Sequence, residues 1–267
     1  MNNMIKFDKV NKIYPNKVHA LKDIDLEINS GEFISIIGLS GSGKSTLLRT
    51  INRMHEVSKG TITINGQDIS KYKGQELLKF RHKIGMVFQA FNLVDRATVL
   101  DNVLVSKANR LNFFQTFFKL YSKEDKIEAL NALDKLGILD KAYIRSDQLS
   151  GGQRQRVALA RTLTQKPEII LADEPIASLD PKSAKMIMED FKKINQETGI
   201  TIIANMHHVD TALAYSDKII GIHDGRLVFY GKASEVNEQV LTSIYDRELT
   251  ETDVMGESKE DEWWNIN

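Results

Sequence analysis

The stretch GLSGSGKST, Gly38 to Thr46, fits the pattern G-x-x-x-x-G-K-[ST], in which a glycine-rich turn aims backbone N–H groups at phosphates. Gly41 and Gly43 free the backbone to turn, and Gly38, Leu39, Ser40, Ser42 and Thr46 complete the cradle. A helix opening at Lys44 adds its positive N-terminal end. Lys44 has the length to reach the β- and γ-phosphates, and the Ser45 hydroxyl is the type of group that ligates Mg²⁺. A ligand-free glycine turn is the plain alternative, but it leaves the lysine and the following serine unexplained.

Phosphoryl transfer needs positioning and charge stabilisation more than covalent chemistry. The run IILADE supplies a matching pair of acids, Asp173 to hold the Mg²⁺ shell and Glu174 to polarise the attacking water. A strand that simply leaves for solvent also ends in acids, so the pair gains its meaning from the cradle. A third chemical feature is the histidine pair in ITIIANMHHVD, His207 and His208. On a strand end two adjacent side chains point to opposite faces, so only one can serve a given site.

The elements that must position these groups are short apolar runs bounded by glycine: residues 31–38, 60–66, 83–89, 168–174, 199–206 and 217–231. Helical patterns alternate with them after Gly43, which predicts βα units and a mostly parallel sheet. Between residues 92 and 165 the strand signal gives way to helical patterning, so a helical subdomain is expected to interrupt the sheet. In RLNFFQTFFKLY, Leu111, Phe114, Phe118 and Tyr121 fall near helical spacing, with Phe113 and Phe117 widening the apolar face. That face either packs into the helical subdomain or receives a partner's helix. The last residues, 246–267, are acid-rich and aperiodic and read as a poorly ordered tail carrying Trp263 and Trp264.

At 267 residues and 42% hydrophobic content the chain can bury a substantial core. Lys plus Arg equals Asp plus Glu at 36 each, so there is no overall positive field for a nucleic-acid backbone, and none is expected as partner. Zero cysteines exclude disulfides and thiolate metal sites and fit a reducing compartment. No run approaches the ~18 apolar residues of a membrane span, and the first residues lack a secretory pattern. A soluble, cytoplasmic protein is expected.

A second glycine-bearing turn, LSGGQRQRVALARTL from Leu149, opens a helix whose apolar face includes Val157, Ala158, Ala160 and Leu163. Ser150, Gly151, Gly152 and Gln153 form another set of anion-ready groups with no lysine beside them. With these residues in view, the chain resembles the nucleotide-binding subunits of ABC transporters, and LSGGQ matches that family's signature. The resemblance covers roughly Ile5 to Tyr230, with the motifs in the family's order. It implies an α/β P-loop cassette fold with a mostly parallel sheet core, an N-terminal antiparallel β part and an inserted helical subdomain. It places the ATPase domain at residues 1–245 and the helical subdomain at about 92–165.

The resemblance further implies two subunits sandwiching two ATP molecules, each held by one chain's cradle and the other chain's signature helix. Ser150 and Gly152 would touch the γ-phosphate in trans. Tyr14 matches the aromatic that stacks on adenine, although a lone tyrosine there also reads as packing. Gln89 matches the glutamine that contacts Mg²⁺ and the water, and Asp180, in SLD, matches the loop at the dimer interface. Counting from ALAYSDKI, His207 falls on the family's switch histidine, and His208 stands where aspartate is usual. The remaining histidines, His19, His55, His82 and His223, lack ligand spacing and read as solvent-facing.

Longer stretches at 88–104, 122–163, 169–195 and 205–231 look like phosphonate-import ATPase subunits. Implied partners are a second ATPase subunit, most simply an identical one, membrane permease subunits and, indirectly, a solute-binding protein; the implied location is peripheral, on the cytoplasmic membrane face. An importer of another solute such as phosphate or amino acids, a non-transport ABC ATPase and a P-loop kinase are the competing readings. The kinase would have no use for LSGGQ.

Overall fold

The computed structural model describes residues 3–112, 114, 115, 118, 120–247, 249, 250, 253 and 254. Phe113, Phe117, Trp263 and Trp264, singled out above, lie outside the described residues. The chain begins with strands β1 (Asn3–Ile13), β2 (His19–Asn29) and β3 (Phe33–Ile37), then helix α1 (Lys44–Ile51) and strands β4 (Lys59–Ile64) and β5 (Gln67–Asp68). It continues with α2 (Gly74–His82), β6 (Ile84–Phe88), α3 (Val99–Leu104), α4 (Lys123–Lys135), α5 (Gly151–Thr164), β7 (Ile169–Asp173) and α6 (Pro181–Thr198). The last elements are β8 (Thr201–Asn205), α7 (Val209–Tyr215), β9 (Lys218–His223), β10 (Arg226–Lys232) and α8 (Glu238–Tyr245).

These divide into two compact units, one built from residues 1–70 and 204–267 and the other from residues 71–203. In the first, β2, β1, β4 and β5 pair in that order as an antiparallel sheet. Ile5 and Phe7 of β1 lie opposite Ile28 and Leu26 on one side and Ile64 and Ile62 on the other, and all six are buried. Alternation of these apolar residues with Lys6 and Asp8 is what gives the sheet one dry and one wet face. The phosphate-loop strand β3 instead reads FISII and is buried throughout, as a strand covered on both faces must be. It pairs in parallel with β9, Ile37 opposite Gly221, and β9 turns back into β10.

In the second unit β6 and β7 pair in parallel, from Ile84 opposite Ile169 to Phe88 opposite Asp173. Among the described residues between 92 and 165 the regular elements are helical, with a single β-bridge between Thr98 and Arg145. Buried Asn102 ties this segment together: its Nδ2 donates to the Ser146 hydroxyl (2.8 Å), to Val94 O and to Thr98 O, and its Oδ1 accepts from Val94 N. Fully paired, such an amide fixes loop geometry at little cost. Gly85 of β6 faces Thr162 of α5, whose methyl would lie 2.2 Å from any added Cβ, so glycine lets the helix reach the sheet. Phe114 and Phe118 do not pack inward as the packing alternative required: they are 71% and 64% exposed.

Candidate nucleotide site

In the first unit the chain leaves β3 at Ile37 and turns through Gly38 to Gly43 before α1 starts at Lys44. Gly38 has φ +146°, and a Cβ there would sit 2.1 Å from Ile222 O. Gly43 has φ +111°, and its Cβ would meet Ala20 O at 2.5 Å. Both positions exclude side chains on two grounds, backbone conformation and space. The loop is held from outside by Gly225, whose N–H donates to Ser42 O at 2.8 Å while its carbonyl accepts from Lys22 N.

Lys44 is buried, and its Nζ donates to Gly38 O (2.7 Å) and Leu39 O (2.8 Å), which keeps the ammonium inside the arc of the loop. The next residue, Ser45, accepts at Oγ from Asn205 Nδ2 at 2.9 Å. Asn205 ends β8 and is fully buried; sequence reasoning passed over it because one asparagine after an apolar run carries no spacing signal. Tyr14 bonds through its hydroxyl to Thr46 Oγ1 (3.1 Å), with Lys12 Nζ 5.0 Å from its ring centroid and His55 edge-on at 5.6 Å. The first unit thus gathers Tyr14, the loop from Gly38 to Thr46 and Asn205 around the start of α1.

The histidines differ from expectation in two ways. His207 and His208 stand in the bend between β8, which ends at Asn205, and α7, so strand alternation does not sort them. His208 is the N-cap residue of α7, and its Nδ1 is sealed from solvent with no hydrogen-bond partner. The solvent-facing reading fails for His55, His82 and His223, all half-buried. His55 packs on Tyr14, and burial, with Arg49 and Lys12 adding to it, lowers its pKa. His223 donates from Nδ1 to Ile244 O at 3.0 Å, since a carbonyl can only accept. His19 is exposed but donates from Nε2 to Asn11 Oδ1 at 2.9 Å.

In the second unit Asp173 closes β7 and is 5% exposed, and Glu174 follows at φ +53°. A non-glycine residue in the left-handed region is a strained position of the kind that collects at functional sites. Gln89 is exposed just after β6. The chain beyond it turns through Phe91 and Asn92, both at positive φ, and Arg161 of α5 clamps their carbonyls at 2.9 and 2.6 Å. Burial lowers the pKa of that guanidinium.

The signature residues have local work of their own. Ser150 caps α5: its hydroxyl accepts from Gln153 N (3.3 Å) while Gln153 Oε1 accepts from Ser150 N (3.0 Å), a reciprocal capping box. So the pairing of Ser150 with Gln153, unexplained by a bare turn, has a structural cause. Gly151 and Gly152 face Leu179 and Ser183, with added Cβ atoms at 3.1 and 3.0 Å. Asp180 caps α6 by accepting from Ser183 N (3.0 Å), and hydrogen bonding from Ser183 lowers its carboxyl pKa. The buried face of α5 is wider than its apolar residues suggested, since Gln155, Leu159, Thr162 and Thr164 are buried too, while Leu163 is only half-buried.

The family model described as ABC transporter matches residues 21–177. The phosphonates import ATP-binding protein PhnC of Lactococcus lactis subsp. cremoris is 53% identical over 245 residues, 92% of this chain and 100% of its own length. Its namesake from Staphylococcus epidermidis is 54% identical over 252 residues, 94% of this chain and 98% of its own. Among solved structures, cbiO1 of Clostridium perfringens, part of the ABC transporter complex cbiONQ, superposes with a TM-score of 0.80 at 31% identity, covering 90% of this chain and 93% of that one. The ATP-binding cassette MJ0796, in a dimeric post-hydrolysis state bound to ADP and Pi, gives a TM-score of 0.75 at 37% identity over 86% of this chain and 99% of that one.

Proposed function

Because the chain belongs to the ABC transporter family and has its α/β cassette fold, we propose that it is the ATP-hydrolysing subunit of an importer for phosphonates. The observation that carries the solute is more than half identity to relatives named for phosphonate import, across nearly their whole length. The loop geometry at Gly38, Gly43 and Lys44 supports nucleotide binding. No helix among the described residues is long and apolar enough to cross a membrane, which suits a subunit that works beside a separate permease, peripherally on the cytoplasmic face.

In this reading the loop amides and Lys44 bind the β- and γ-phosphates, and Tyr14 carries the adenine. Ser45 and Asp173, joined by Gln89, are the oxygen donors for Mg²⁺, and hydroxyl and carboxylate oxygens are the donor types that hard cation takes. Bound there, Mg²⁺ neutralises charge on the phosphates. Glu174 orients the attacking water, and His207 donates a hydrogen bond to the γ-phosphate. Ser150, Gly151, Gly152 and Gln153 of a second, identical subunit complete each site, with Ser150 and Gly152 at the γ-phosphate and Asp180 at the interface.

A Glu174→Gln chain tests the shared site. It is expected to bind ATP and to run as a dimer in light scattering when Mg²⁺ is chelated. A Glu174→Gln protein that binds ATP yet stays monomeric at high concentration would overturn the two-subunit site.

A further inference from the structure

Tyr14 stands just beyond β1 on a tight turn, its N–H donating to Val18 O at 2.9 Å and its carbonyl accepting from Lys17 N at 2.8 Å. These bonds fix the backbone, but a side chain can still turn about χ1. Three groups hold the ring. The Lys12 ammonium lies over it, 5.0 Å from the centroid, and is itself anchored by donating to Glu56 O at 2.7 Å. His55 meets it edge-on, with ring centroids 5.6 Å apart and planes at 85°. The Tyr14 hydroxyl bonds to Thr46 Oγ1 at 3.1 Å.

These holds come from both ends of one helix. Thr46 lies in the first turn of α1, and His55 and Glu56 follow its last turn, where His55 N donates to Arg49 O at 3.0 Å. The helix that opens at the phosphate loop therefore also grips Tyr14. A cation is attracted to a ring face, and an edge-to-face pair is a favoured aromatic geometry. Burial, with Arg49 and Lys12 adding to it, favours the neutral imidazole, so His55 meets Tyr14 as a ring and not as a second cation. Lys12, Tyr14 and His55 are all half-buried, and a ring that only filled space would need no anchored ammonium over its face. A ring fixed beforehand spares a ligand the cost of ordering it.

We propose that Lys12 and His55 are positioning residues for the nucleotide's base: they hold Tyr14 with one ring face covered and the other presented to adenine before ATP arrives. They act through Tyr14 and not on the phosphates. This rests on the nucleotide reading above, in which Tyr14 carries the adenine.

Full-length wild type, Lys12→Met, Lys12→Arg, His55→Ala, the Lys12→Met/His55→Ala double variant and Tyr14→Ala are compared for affinity toward ATP and toward inorganic tripolyphosphate, which has phosphates but no base. Mg²⁺ is chelated, so that binding is read apart from hydrolysis. Lys12→Met, which keeps the stem and removes the charge, and His55→Ala are each expected to weaken ATP about threefold, and the double variant about tenfold. Their tripolyphosphate affinity should stay at the wild-type value, whereas a merely structural loss would weaken both ligands together. Lys12→Arg, whose guanidinium also stacks on aromatic faces, should bind ATP as wild type does. Tyr14→Ala should cost ATP about tenfold or more, the worth of one stacked base. Equal losses for ATP and tripolyphosphate, or unchanged ATP affinity in the double variant while Tyr14→Ala weakens it, would overturn the proposal. A Tyr14→Ala chain that binds ATP as wild type does would instead refute Tyr14 as the support of the adenine, and with it the role given to Lys12 and His55.

Discussion

Asn205 donates from Nδ2 to the Ser45 hydroxyl at 2.9 Å, from the end of β8 to the first turn of α1. The bond orients the oxygen proposed to face Mg²⁺, as outer hydrogen bonds orient ligands at metal sites. Asn205→Ala is therefore expected to raise the Mg²⁺ needed for half-maximal hydrolysis about tenfold, the size of such outer-shell losses. ATP affinity in the absence of Mg²⁺ should stay near wild type. A magnesium titration of ATPase activity reads this directly, and an unmoved midpoint would reduce the bond to a packing detail.

The two histidines after β8 separate by role. His207→Ala should keep ATP affinity within a few-fold and lower turnover about a hundredfold, as when one positioned transition-state donor is lost. His208, whose Nδ1 finds no partner, should tolerate alanine with little change in turnover. Single-turnover rates for both variants decide the matter; equal losses, or a larger loss at His208, would move the switch assignment by one residue.

An ion network anchored on buried Lys107 braces the second unit. Lys107, only 1% exposed at its side chain, reaches Glu128 at 2.5 Å, and Lys166 reaches the other carboxylate oxygen at 2.6 Å. Hydrogen bonds from Lys107 and then Lys166 hold the Glu128 carboxyl at a pKa of about 2. Because the folded value lies below the free one of 4.5, the carboxylate stabilises the fold fully above about pH 4.5. That contribution fades as pH falls through about 2. Glu128→Gln leaves the buried ammonium without a counter-charge and should cost about 2–3 kcal/mol, less than for a fully buried pair because Glu128 is partly exposed. Urea unfolding should give the same difference at pH 7 and 5 and a smaller one at pH 3.5. A constant difference across that range would mean the charge is not its source.

How much of this could be read from the chain follows from where each signal sits. The glycine-rich loop is legible because its glycines, lysine and serine sit in one short stretch, and Gly38 and Gly43 do take positive φ with no room for a Cβ. Strands β3, β4 and β6 to β8 were legible as short apolar runs, with ends that differ from the runs by a residue or two, whereas the run 217–231 is two antiparallel strands, β9 and β10, joined by a turn at Asp224 and Gly225. Residues of β1 and β2 alternate cleanly only in part, since bulges near Val10 break the period, and their pairing entered only through family resemblance. Asn205 was invisible because its partner lies 160 residues away. The capping box at Ser150 is legible in the sequence as S-x-x-Q, a pattern that serves helix capping and anion binding alike.

Uptake is the most direct test of the function. Cells lacking this chain are given back the wild type or Glu174→Gln, and entry of radiolabelled methylphosphonate is measured. Wild type should restore uptake, and Glu174→Gln should restore none while its purified form still binds ATP. Uptake that proceeds equally with Glu174→Gln, or that never depended on the chain, would contradict the proposal that its ATP hydrolysis drives phosphonate import.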